Sequence, residues 1–295
     1  MAARWGRCVG LSLVVGLTAV ACSGGDDDGE GSAGSKAESR PWVEAVTDAQ
    51  EVIGVLSDER AVSVLELTGM TGVVELRPAD LADARSTTDE VLAELSPASG
   101  REPSPAAPTA ETASLLEAAR AEVDQAASES GSTDTAAAVA TFDDYARLAD
   151  GYRDGVDAAV LQVDDPDLRT ALEVVLDTGR LHDLGAQLVM QLTMGAIDSA
   201  GATGESVTGL ARTWSLLDTL ATDVRATTLE PYADAIGTGF PVDYHDTLAG
   251  QVQGVADGRP TDIPALLDAQ PKQADDPSYL TLHVELLELL TTQYA

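Results

Sequence analysis

The side chains able to do chemistry are few: Cys8 and Cys22, the histidines His182, His245 and His283, the run Asp26-Asp27-Asp28, and a set of arginines. A helical zinc site needs imidazoles one turn apart, and these histidines are widely separated in sequence. His182-Asp183 offers one imidazole with no second at i+4, and reads as a surface or boundary residue. His283 falls in an apolar segment and reads as packed. The aspartate run attracts divalent cations loosely but provides no preformed cage. No Gly-rich phosphate loop, Gly-x-Ser-x-Gly turn or His-Glu-x-x-His helix occurs. Among 50 acidic residues nothing in the spacing selects one pair as acid and base. The sequence therefore predicts no catalytic residue, no metal site and no cofactor, and the chain does not read as an enzyme.

Cys22 has a different context. Arg4 and Arg7 precede a run, residues 9–20, that is apolar or small and uncharged. It is too short to span a bilayer, which takes ~20 apolar residues. It ends in Leu17-Thr18-Ala19-Val20-Ala21-Cys22, which resembles the lipobox of bacterial lipoproteins, with Ala19 where leucine is usual. The resemblance implies that residues 1–21 are a signal peptide and that the Cys22 thiol carries lipid. Each buried acyl methylene contributes roughly 0.8 kcal/mol to anchoring. Residues 23–36 are Ser, Gly, Asp, Glu, Ala and one Lys. Such a stretch cannot bury enough apolar surface to order itself, so residues 22–40 are expected to be the lipidated cysteine and a disordered tether. The expected location is the extracytoplasmic face of the cell membrane. With Cys8 removed and Cys22 acylated, no disulfide is expected.

The chain carries 17 basic and 50 acidic residues, a formal charge of −33; loss of Arg4 and Arg7 with the signal would make it about −35. A field this negative repels nucleic acid and anionic headgroups. Much of the acidity fits a GC-rich composition and a solvated surface. No second long apolar run occurs, so no transmembrane helix is expected.

The elements that must position any site are helices. Residues 42–67 carry Val46, Ala49, Ile53, Leu56, Val62 and Leu65 at three- and four-residue steps, with Pro41 suited to the first turn and Gly69 and Gly72 ending the helix. A second helix is expected from Pro78-Ala79-Asp80 to Leu95, through Leu81, Ala84, Thr88, Val91 and Leu92. Four prolines in 96–108 predict a loop. A third helix covers about 109–127, with Leu115, Ala119 and Val123 on one face. A fourth covers about 133–163, with Phe142, Tyr145, Leu148, Tyr152, Val156 and Val160. Asp165-Pro166-Asp167 marks a stop and restart. Helices follow at about 168–200 and 203–227. Residues 231–241 read as a break holding the turn Gly237-Thr238-Gly239. Shorter helices are expected at 245–255 and 263–269, and an apolar one at 279–290. Nothing alternates with period two for long enough to form a sheet. The predicted fold is all-α, with long up-and-down helices in one or two bundles: one over 41–230, and C-terminal helices over 231–295 that complete or extend it.

Several motifs recur in order along these helices. The first carries Leu56-Ser57-Asp58-Glu59-Arg60, then Ala61-Val62-Ser63 and Leu67-Thr68-Gly69. The second carries Leu81, Arg85, Thr88-Asp89 and Val91-Leu92-Ala93; the third, Leu116, Arg120 and Val123-Asp124; the fourth, Tyr145-Ala146-Arg147-Leu148; Asp165-Pro166-Asp167-Leu168 opens the fifth. This order resembles the nitrate- and nitrite-sensing (NIT) domain, an all-helical extracytoplasmic module of bacterial receptors, mainly actinobacterial histidine kinases. It covers about half the chain, residues 50 to 200. The resemblance implies an anion site built from arginines, with Arg60 at the first-helix position and Arg85 and Arg120 as further candidates. A planar guanidinium fork suits a small planar anion better than a lysine does. The other reading of each arginine is a structural ion pair with a bundle acid. The chain departs from the family at 183–190, which lacks the fifth-helix arginine.

Two functions follow as expectations. One is a lipid-anchored NIT-like sensor or solute-binding protein for nitrate, nitrite or another small anion, acting through a membrane sensor kinase or transporter. The other is a non-catalytic structural or protein-interaction lipoprotein of the envelope.

Overall fold

The computed structural model describes residues 33–69, 80–96, 104–129, 135–197, 204–262, 264–266 and 278–294. The described residues hold helices and no strand, and the fold is an all-α bundle. The expected signal peptide, Cys22 and the aspartate run lie outside them.

The chain forms two compact units. One runs to Ala159 and includes the final residues from Gln293; the other is Val160–Thr292. The division therefore falls at the end of the fourth helix, and not near residue 231. The boundary comes just before the break at Asp164-Asp165-Pro166, and the helices after that break pack among themselves.

Unit 1 is built around α1 (Ala33–Thr68). Val43, Val46, Ala49, Val52, Ile53, Leu56, Val62, Val64 and Leu67 are all buried, so the helix is covered over most of its circumference. It begins at Ala33 and not at residue 42, and Pro41 lies inside it. Ala, Lys, Glu and Arg dominate 36–40 and favour helix, so the last residues of the expected tether are helical. Against α1 pack α2 (Leu81–Leu95) and α3 (Ala110–Glu129). Asp80 caps α2 by accepting from the Asp83 N–H at 2.9 Å. Thr109 and Thr112 cap α3 reciprocally: each hydroxyl accepts from the other's backbone N–H, at 3.1 and 2.9 Å. The inward face of α3 is Leu116, Ala119 and Val123; Leu115, expected there, is 39% exposed. The fourth helix, α4 (Thr135–Val160), buries Ala138, Phe142, Tyr145, Leu148, Tyr152 and Val156 at three- and four-residue steps.

Unit 2 opens with α5 (Pro166–Ile197). Asp165 Oδ1 accepts from the N–H groups of Asp167 and Leu168 at 2.9 and 3.1 Å, and Pro166 fills the first turn. Leu172, Val175, Leu181, Leu188 and Leu192 bury its apolar face, mainly against α6 (Gly204–Arg225). Each such leucine contributes roughly 1.5–3 kcal/mol when fully buried. The segment read as a break is largely a helix, α7 (Tyr232–Gly239), which buries Tyr232, Ala235 and Ile236. Pro231 precedes it and Pro241 follows Phe240, so the prolines bracket the helix without interrupting it. A Cβ on Gly239 would lie 3.3 Å from Glu285 Oε2 and 3.4 Å from Leu282 Cδ1, so this glycine serves close packing. Then come α8 (Val242–Ala256), ended by Gly258 at φ +76°, and α9 (Tyr279–Tyr294). Residues 264–266 are helical; the rest of the expected 263–269 helix is outside the described residues.

Candidate functional site

The side chains of highest chemical potential meet in unit 1, at Glu59. This carboxylate sits on α1 with its side chain fully buried. Burying a lone carboxylate is costly, and such a group persists only with charged or hydrogen-bonding partners. Each of the other three helices of the unit supplies one. From α3, Arg120 donates Nε to Oε1 at 2.7 Å and Nη2 to Oε2 at 2.9 Å, the two-toothed geometry that suits guanidinium to carboxylate. From α4, the Tyr145 hydroxyl donates to Oε1 at 2.6 Å. From α2 come Thr88, whose hydroxyl also favours the ionised carboxylate, and Arg85, whose Nε lies 3.8 Å from Oε1.

An outer ring holds the two arginines. Arg120 Nη1 donates to Asp89 at 2.7 Å, and Arg85 Nη1 donates to Asp124 at 2.9 Å. Each arginine also donates through Nη2 to the other's backbone carbonyl at 3.3 Å. The guanidinium groups thus cross between α2 and α3 and tie both helices to α1.

The electrostatics follow from these contacts. Burial would raise the Glu59 carboxyl, but hydrogen bonds from Arg120, Tyr145 and Thr88 outweigh it and hold the group below its usual range. Burial and the Glu59 charge push the Tyr145 phenol up. Burial works against the Arg120 charge, yet Glu59 and Asp89 raise that group further. Two arginines face three carboxylates here, so the cluster has no surplus positive charge with which to recruit an anion.

Arg60 takes another direction. One residue beyond Glu59, it points roughly 100° around the helix. It is 3% exposed, its guanidinium lies 5.0 Å over the Phe142 ring, and Nη2 donates to Ser57 Oγ at 3.4 Å. The three arginines expected to share a site are therefore divided: Arg85 and Arg120 meet at Glu59, and Arg60 packs on α4. Beside it, burial pushes the Asp58 carboxyl up to about 7 against the Arg60 charge.

The sequence reading missed the acids. Glu59, Asp89 and Asp124 each stand inside the motifs that carried the family resemblance, next to or four residues from the arginines. Each of these acids pairs with an arginine of another helix, Glu59 and Asp89 with Arg120 and Asp124 with Arg85, so spacing along one helix did not announce the pairs.

Unit 2 holds a second polar group. His245 Nδ1 lies 2.7 Å from the Tyr279 hydroxyl, and Nε2 lies 3.3 Å from Asp218 Oδ1. His283 is buried with Nδ1 3.3 Å from the Thr178 hydroxyl; burial, and then the charge of nearby His182, bring it down to about 4. His182 and His283 are thus neighbours in the fold despite their separation in sequence. Among the described residues no group of three or more His, Cys, Asp or Glu is placed to hold a metal, and no helix is long and apolar enough to cross a membrane. No protein-family model, curated protein or solved structure matches the chain.

Proposed function

We propose that this chain is a lipid-anchored helical scaffold on the extracytoplasmic face of the cell membrane, a structural or protein-interaction lipoprotein and not a catalyst. The observation that carries the scaffold reading is the Glu59 cluster. Arg85 and Arg120, the further candidates for an anion site, are neutralised by three carboxylates of the same unit. The pattern from Arg4 to Cys22 supports the anchor.

Membrane fractionation together with thermal melting in nitrate and nitrite tests the proposal. The chain is expected in the membrane fraction, and Cys22→Ala in the soluble one. Its melting temperature is expected to stay constant up to millimolar anion. A rise of several degrees that Arg60→Ala abolishes would overturn the scaffold reading.

That outcome would favour the second reading, a NIT-like sensor for nitrate, nitrite or another small anion acting through a membrane kinase or transporter. The position of Arg60 supports it: a buried guanidinium stacked on Phe142, outside the Glu59 cluster.

A further inference from the structure

His182 and His283, far apart in the sequence, are brought together by α5 and α9 of unit 2. His283 of α9 is 7% exposed, with Nδ1 3.3 Å from the Thr178 hydroxyl of α5. That hydroxyl has one hydrogen, and it is spent on the backbone: Oγ1 lies 3.1 Å from the Val174 carbonyl and 3.0 Å from that of Val175. Toward His283 it can only accept. Nδ1 therefore carries the ring hydrogen. The Val175 carbonyl, beside the same hydroxyl, also accepts from the imidazole. Burial holds the ring in its neutral form at neutral pH. Nε2 is then left with a lone pair, and among the described residues nothing donates to it.

An imidazole whose one N–H is fixed by protein oxygens, with the other nitrogen bare, has the arrangement of a metal ligand. A ligating histidine must be neutral, and this one already is. A second imidazole is at hand. His182 stands one turn beyond Thr178 on α5, so it projects from the face that touches His283. It is half-buried, and its charge acts on the His283 ring. Ca²⁺ and Mg²⁺ seek oxygen; the ions that seek imidazole are the late first-row transition metals. The formal charge of −33 concentrates cations around the chain.

We propose that His182 and His283 form a two-histidine site for a late first-row transition-metal ion such as Zn²⁺, bound through Nε2 of His283 and one ring nitrogen of His182. Two protein ligands leave the other positions to water, so the site is open and exchangeable and not a closed structural centre. It lies outside the Glu59 cluster and stands whether or not the scaffold reading does.

The test is a set of long-range nitrogen–proton correlation spectra of the full chain labelled in its three histidines, with excess Ca²⁺ present to occupy surface carboxylates. Before metal is added, the His283 hydrogen is expected on Nδ1. Zn²⁺ is expected to shift Nε2 of His283 and one nitrogen of His182 together, saturating at one ion per chain, with His245 unmoved. His182→Gln, at a half-buried position, is expected to weaken the His283 response by about tenfold or more. A hydrogen found on Nε2 would overturn the site. So would a His283 ring unmoved at millimolar Zn²⁺, or an equal response in His182→Gln. Should that variant fail to fold, the parent chain decides alone: a shift of His283 without His182 would overturn the site equally.

Discussion

At Glu59 a single carboxylate accepts three short hydrogen bonds from two other helices, and the contributions of its neighbours should follow their burial. Tyr145 donates to a fully buried charge. Tyr145→Phe is therefore expected to lower unfolding free energy by about 1.5–3 kcal/mol in urea titration. Asp89 also bonds Arg120, but its side chain is 62% exposed, and Asp89→Asn is expected to cost at most about 1 kcal/mol. Asp58 provides a test with pH. Its folded value is raised to about 7 from an ordinary 3.8, so the unfolded chain loses this proton first as pH rises. Between those values the native state binds more protons than the unfolded state, and the contribution of Asp58 to stability declines as pH rises from 3.8 towards 7. Stability measured across that interval is expected to fall less steeply in Asp58→Asn than in the parent. An identical slope in the two would show that the carboxyl is not raised.

The helices are positioned by caps and close approaches as well as by apolar faces. Gly185 lies in α5 where a Cβ would meet the Tyr279 ring at 3.0 and 3.2 Å, while Gly195 in the same helix has nothing within 4 Å. Gly195→Ala is expected to stabilise by about 0.5–1 kcal/mol, through helix propensity alone. Gly185→Ala is expected to destabilise by about 1–3 kcal/mol, because α5 and α9 must part. Chemical denaturation of the two variants gives opposite signs if the packing is as described. At this scale much was legible. Three- and four-residue spacing located α2 to α6 within a few residues, and Asp165-Pro166 announced its own cap. Helix α7 was obscured by Gly237 and Gly239, whose turn chemistry outweighed the spacing of Tyr232, Ala235 and Ile236. Gly239 is there for contact with α9, and that reason exists only in three dimensions. Pro41 misled likewise: proline suits a first turn, but this one lies inside a longer helix.

For the whole molecule, the sequence conveyed an all-α fold and an acidic surface, but not the division at Ala159. That boundary depends on which helices pack together, and periodicity along one helix does not encode its partner. The same gap affected the arginines. Residue type showed that Arg60, Arg85 and Arg120 could bind an anion; only the arrangement of four helices shows two of them already bound to Glu59, Asp89 and Asp124. With these cations drawn into internal pairs, the acidic excess stands largely on the surface, which fits a solvated scaffold.

The scaffold account depends on Glu59 and Arg120 acting as one structural unit, and a double-mutant cycle measures that directly. Arg120→Met leaves the buried Glu59 charge without its two-toothed partner and is expected to lower unfolding free energy by about 3–5 kcal/mol, whereas Glu59→Met leaves Arg120 bonded to Asp89 and is expected to cost less. The double variant removes the buried carboxylate as well, and is expected to be more stable than Arg120→Met alone. Strictly additive losses would contradict the account, since the pair would then not be coupled. So would an Arg120→Met chain as stable as the parent, which would leave the arginine free for a ligand.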